Sequence, residues 1–161
     1  MKTLSRWLAP LAVVAIACAP AAEPAAPMVD TAADEAAIMA VRDAEIASIT
    51  SGSGDLSHMT ADAVSMPPGE PAIRGTEALA TWLAGMIAQY DLNVNYTSSN
   101  LTLAGDWAIE SYAGDFTMTP KAGGDGVSET LKGIHIYGRQ ADGSWKMTHD
   151  IWNSDAPPPA M

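Results

Sequence analysis

Basic side chains are scarce. The 161 residues include 8 Lys and Arg against 19 Asp and Glu, a formal net charge of −11. Phosphate contacts need clustered cations. No such cluster exists, so no nucleic-acid partner is expected. Before Thr31 the charges of Lys2, Arg6, Glu23 and Asp30 cancel, so the acidic excess belongs to the remainder. Cysteine is nearly absent: Cys18 stands alone, which excludes an internal disulfide. The apolar run Trp7–Ala17 falls short of the roughly 20 residues that span a bilayer. His58, His135 and His149 lack H-x-x-x-H or H-x-H spacing, and Gly123–Gly126 precedes no helix pattern. No metal and no cofactor is therefore expected.

What the N-terminus does have is the layout of an export signal. Lys2 and Arg6 precede the apolar run over residues 1–17, and Ala15-Ile16-Ala17-Cys18 follows. This resembles a bacterial lipobox, with Ala15 where Leu is usual. The resemblance implies lipidation of Cys18 and an exported, membrane-anchored lipoprotein facing the periplasm or cell surface, touching the membrane only through that lipid. Residues 18–30, rich in Ala and Pro, read as an extended tether. Residues 31–155 are expected to form the folded domain, and residues 156–161 a disordered tail.

Within the domain, Thr31-Ala-Ala-Asp34 reads as a helix entry. The helix is expected to stop at Gly52-Ser-Gly54. Ile38, Met39, Val41, Ile46 and Ile49 share an apolar arc. Arg42 and Glu45 fall inside it, within pairing reach of each other; they are read as a solvated edge, the alternative being that one of them lines a pocket. Asp55–Ala63 is read as a short second helix, followed by an irregular Pro-rich stretch. A third helix runs from Thr76 to about Tyr90, where Leu79, Trp82, Leu83, Met86 and Tyr90 keep the spacing of a buried stripe. From Asp91 the period becomes two. Four strands follow, the last two joined at Asp142-Gly143, a strong hairpin signal. Helices first and hairpins after imply an α+β fold: three helices on a strongly curved antiparallel four-stranded sheet, cone-shaped, with an internal pocket.

Strand parity then assigns faces. On the last strand Trp145, Met147, His149, Ile151 and Asn153 are expected inward, with Asp150 and Trp152 outward. On the strand before, Lys132, Ile134 and Ile136 are expected inward, with His135 and Tyr137 outward. A β-bulge would reverse part of this assignment.

Three segments carry a resemblance. They are Met59-Thr-Ala-Asp-Ala-Val-Ser-Met-Pro-Pro-Gly69, Ile73-Arg74-Gly75, and Asp142-Gly143-Ser144-Trp145-Lys146 leading to Asp150–Asp155. Over Asp34–Asp155 the chain resembles the nuclear transport factor 2-like superfamily, in the branch of SnoaL-like and ketosteroid isomerase-like domains. That fold hosts isomerases, dehydratases, cyclases and binding domains. The ketosteroid isomerases use a carboxylate base with a Tyr and a protonated Asp; those groups do not map residue by residue onto this chain. Glu110, Tyr112, Lys132, His135, His149 and Asp150 are the polar candidates. The first expectation is a domain that binds a small apolar or amphipathic molecule, with Met66, Trp82, Met86, Lys132 and Asn153 around it. The alternative is an isomerase or dehydratase with His149 or Glu110 as acid/base. A third is an accessory domain without ligand. A homodimer through the outer sheet face, with Trp152, His135 and Tyr137, is also expected.

Overall fold

The structure, a computed structural model, describes residues 31–156. The expected signal over 1–17, the tether over 18–30 with Cys18, and tail residues 157–161 lie outside the described residues. The elements are α1 (Thr31–Ser51), β1 (Met59–Met66), β2 (Ile73–Arg74), α2 (Thr76–Gln89), β3 (Tyr90–Ala104), β4 (Trp107–Pro120), β5 (Val127–Arg139) and β6 (Trp145–Ser154). The strands form one sheet in the order β2-β1-β6-β5-β4-β3. The α+β class stands, with a curled open sheet against the two helices. The count differs from expectation: two helices rather than three, and six strands rather than four. Residues 55–63 form a turn followed by β1, not a helix. β1 lies parallel to β6, and local sequence gives no sign of a pairing so distant along the chain. Every other neighbouring pair is antiparallel.

Helix α1 ends where Gly52 adopts φ 67, a conformation that costs little only without a Cβ. Its buried stripe is Asp34, Ile38, Glu45 and Ser48. Glu45 is therefore not at a solvated edge. Arg42 does not pair with it either; its guanidinium reaches Glu110 at 3.0 Å.

One core cluster joins Ile38, Met59, Ala63, Leu79, Ala108, Tyr137, Trp145 and Met147. Beside it, Arg139 grips Asp34 through two bonds of 2.7 and 2.6 Å, and Trp145 Nε1 donates to the same carboxylate at 3.0 Å. The guanidinium also lies 4.4 Å from the centre of the Trp145 ring, a cation–π contact.

Strand β6 begins as the parity rule expects, with Trp145 and Met147 buried. Thr148 is then an extra residue: Tyr137 pairs with Met147 and Ile136 with His149. This bulge reverses every face beyond it. Asp150 and Trp152 turn inward, while His149 and Asn153 leave the inner face. On β5 the expected faces are inverted. His135 and Tyr137 are fully buried, whereas Ile134 is 41% exposed and Lys132 is exposed. The outward set is Trp107, Ile109 and Ile134. Ile136 is paired with Ile109, and Ile151 with Ile134, on the same face.

Candidate functional site

The concave face of the sheet and the two helices enclose a cavity. Its walls are apolar: Ile49 of α1, Leu79, Leu83 and Met86 of α2, and Leu92, Val94, Phe116 and Leu131 of the sheet. Trp82 and Trp152 also line it, their rings edge to face with centres 6.2 Å apart. Trp82 donates from Nε1 to Glu70 at 2.9 Å.

The polar groups gather apart from these walls. Glu45, Tyr96, Tyr112 and Asp150 all line the cavity. Tyr96 donates its hydroxyl to Glu45 Oε2 at 2.9 Å, and Tyr112 donates to Asp150 Oδ1 at 3.4 Å. The two phenol rings lie against each other, with centres 4.7 Å apart. Gly133 makes room for this: a Cβ there would collide with the Tyr112 ring and hydroxyl and with the Ile151 carbonyl. Behind the carboxylates stands His135. Its Nε2 is 3.7 Å from Glu45 Oε2 and 3.4 Å from Asp150 Oδ1. Its Nδ1 is 3.2 Å from Glu110 Oε2, and Glu110 also accepts a 2.7 Å bond from Tyr137.

Electrostatics follow from this crowding of acids. Burial pushes the Glu45 carboxyl up, and nearby Asp150 adds to the shift while His135 opposes it. Burial alone would lower the His135 imidazole, but Glu45, Asp150 and Glu110 outweigh it and raise it. Glu110 goes the other way. Burial opposes its charge, yet the His135 and Tyr137 hydrogen bonds and the Arg42 charge hold its carboxyl down at about 2. Burial and the neighbouring carboxylates raise the Tyr96 and Tyr112 phenols, which therefore stay protonated donors. His58, also on the wall, is pushed down by burial. Two polar wall atoms, Ser48 Oγ and His58 Nδ1, have no partner among the described residues.

Several expected site residues lie elsewhere. Trp82 and Met86 line the cavity. Met66, opposite Ile151, and Lys132, opposite Asn153, lie on the outer face. Lys132 pairs there with Asp155. His149 follows the bulge outward, its Nδ1 3.0 Å from Thr148 Oγ1. Glu110 is fully buried, behind His135 rather than on the cavity wall. Parity missed Asp150 and His135 because one bulge and one wrong starting face reversed them. Glu45 and Tyr96 were within reach of the patterns: Glu45 falls on the apolar arc of α1, and Tyr96 continues the alternation of Leu92 and Val94.

No family model and no curated protein sequence matches the chain. Solved structures do. A candidate dehydratase of the nuclear transport factor 2-like family from Streptomyces avermitilis aligns with a TM-score of 0.70 at 14% identity. That alignment covers 78% of this chain and 99% of that one. A nuclear transport factor 2-like superfamily protein from Salmonella enterica gives 0.69 at 14% identity, over 81% and 96% of the two chains. A ketosteroid isomerase-like protein from Erwinia carotovora gives 0.61 at 26% identity, over 78% and 96%. Two helices on a curled, open six-stranded sheet, shared at this coverage with such proteins, mean that the described domain has the nuclear transport factor 2-like fold.

Proposed function

We propose that the domain binds a small, mainly apolar molecule bearing a carbonyl or hydroxyl group and moves a proton on it, as isomerases and dehydratases do. One observation carries this reading. In a cavity walled by aliphatic and aromatic side chains, two carboxylates and two phenols converge at one place, backed by a buried imidazole. An apolar body held by the walls would leave its oxygen to meet the polar cluster or the unpartnered Ser48 Oγ and His58 Nδ1. The Tyr112 hydroxyl, on giving up its 3.4 Å bond to Asp150, is then a donor for an oxygen that gains charge as a C–H bond breaks. Asp150 takes the proton from the α-carbon and returns it to the same carbon or to its conjugate position. Glu45, held by Tyr96, and His135 position Asp150. The Erwinia protein's description as ketosteroid isomerase-like, and the Streptomyces protein's as a candidate dehydratase, agree with this reading.

The test is exchange of an α-hydrogen of an apolar cyclic ketone with deuterated water. Expected is exchange that Asp150→Asn reduces by about 10²–10⁴-fold. A ketone that raises the melting temperature without exchanging would leave a plain binding domain, the alternative favoured by the predominance of apolar wall.

The export reading remains part of the proposal. Cys18 after the apolar run supports lipid anchoring, and Cys18→Ser is expected to move the protein out of the membrane fraction. The partner proposed for the outer sheet face is a second copy, now through Trp107, Ile109 and Ile134 rather than Trp152, His135 and Tyr137.

A further inference from the structure

We propose that Glu45, His135 and Asp150 form a binding site for a divalent first-row cation of the zinc class at the polar end of the cavity. One donor atom from each residue lies within 4.8 Å of the other two. His135 Nε2 stands 3.7 Å from Glu45 Oε2 and 3.4 Å from Asp150 Oδ1. Donors bound to one such cation at about 2.0–2.2 Å sit roughly 3.0–3.6 Å from one another. The cluster is near that spacing already, and side-chain adjustment of about an ångström closes it.

Three independent features point the same way. First, His135 Nε2 has no hydrogen-bond partner although the residue is 0% exposed. That nitrogen meets the two carboxylates at ion-pair distance only, 3.7 and 3.4 Å, and a cation between them would bond all three groups directly. Second, the other ring nitrogen is fixed. Nδ1 lies against Glu110 Oε2 at 3.2 Å, and Glu110 is held in turn by Tyr137 at 2.7 Å and Arg42 at 3.0 Å. A carboxylate behind a histidine, setting its tautomer so that the far nitrogen offers a lone pair, is how metal-binding histidines are oriented. Third, the charges balance. Arg42 neutralises Glu110, and once binding displaces the imidazole proton a divalent cation cancels the two remaining carboxylates.

The donor set selects among cations. One imidazole nitrogen and two carboxylates suit Zn²⁺ or its first-row neighbours better than Ca²⁺, which takes six to eight oxygens. Three protein ligands leave a position open. Glu45 and Asp150 both line the cavity, so that position is reached from the cavity and would take water or the oxygen of a bound molecule. Linear histidine spacing could not reveal the site, because its donors come from α1, β5 and β6. A cation on Asp150 would occupy the base of the proposed proton transfer, so the two roles belong to cation-bound and cation-free protein, and the site is tested without any substrate.

The experiment titrates the full chain, stripped of metal, with Co²⁺ and then Zn²⁺. Expected is one equivalent of Co²⁺ with the visible absorption of a low-symmetry buried site, displaced by Zn²⁺. Asp150→Asn, which keeps side-chain shape, is expected to weaken binding by about a hundredfold or more. Glu110→Gln, acting only through the orientation of His135, is expected to weaken it by about 10–100-fold. His149→Gln, on the outer face, is expected to leave the signal unchanged. Circular dichroism confirms that each variant is folded. Absence of the Co²⁺ signal in the parent chain, or an undiminished signal in folded Asp150→Asn, overturns the proposal. Cobalt binding together with no deuterium exchange in the metal-stripped chain would remove the proton-transfer reading alone. Exchange without cobalt binding would remove the cation site alone.

Discussion

Trp145 acts through two partners at once. Its indole fills the core beside Ile38 and Met147, and its N–H donates to Asp34 at 3.0 Å. Trp145→Ala removes both and is expected to cost about 3–5 kcal/mol, out of a total of roughly 5–15. Trp145→Phe keeps most of the apolar contact and loses only the donor, so its loss should be clearly smaller. Urea unfolding of the two variants measures the ratio; equal losses would mean that the hydrogen bond outweighs the packing. The acceptor makes a pH prediction. The Arg139 and Trp145 hydrogen bonds hold the Asp34 carboxyl below its usual 3.8. A lowered folded-state value means that the stabilisation is present above the unfolded value and fades as pH falls through the folded one. The gap in Tm between the parent and Asp34→Asn should therefore be full at neutral pH and close at pH well below 3.8. At this scale the sequence was readable where neighbours decide. Trp145 just after Asp142-Gly143 and the stripe of Trp82 and Met86 follow from local period alone. Gly133 was not readable, since its reason is a Tyr112 ring arriving from another strand.

Elements were readable as far as their period was unbroken. Helices α1 and α2 and the hairpins of β3 to β6 follow from apolar spacing and turn residues. β1 did not, because residues 59–66 become a strand by pairing with the two-residue β2 and, over more of their length, with β6, more than 80 positions away in the chain. The bulge at Thr148 had the larger functional consequence: one added residue decides whether Asp150 or His149 faces the cavity. Deleting Thr148 is expected to shift the register, turning Asp150 and Trp152 outward or forcing Trp145 and Met147 out of the core. Its expected outcome is loss of binding of an apolar fluorescent probe, together with a lowered melting temperature. Probe binding retained at parental affinity would show that the bulge does not set the faces. Thr148 also ties itself down, its hydroxyl donating to the Ile136 carbonyl at 3.0 Å.

At the scale of the whole molecule, charge and the outer sheet face meet. Trp107, Ile109 and Ile134 are 53%, 47% and 41% exposed, and register sets Ile136 and Ile151 beside them. The chain carries −11, so two copies repel, by an amount that salt screens beyond about 8 Å. Association through this apolar face should tighten at moderate salt, and Ile109→Glu should abolish it. Sedimentation at two ionic strengths reads both, and a monomer at high micromolar concentration in each would remove the dimer. The sheet order has one more consequence. β6, the last described strand in sequence, stands between β1 and β5. Until it is in place, the β1–β2 pair and the β3–β4–β5 ribbon have no hydrogen-bonded seam between them. The contacts that seal the molecule, Arg139 and Trp145 on Asp34, span separations of 105 and 111 residues. Closing such loops comes late and makes folding slow. A nascent chain would wait for residues 145–154 before it could close, and the strand that closes it is the one that delivers Asp150 and Trp152. Folding and the assembly of the cavity are therefore a single event, and no partly folded form should bind what the finished one does.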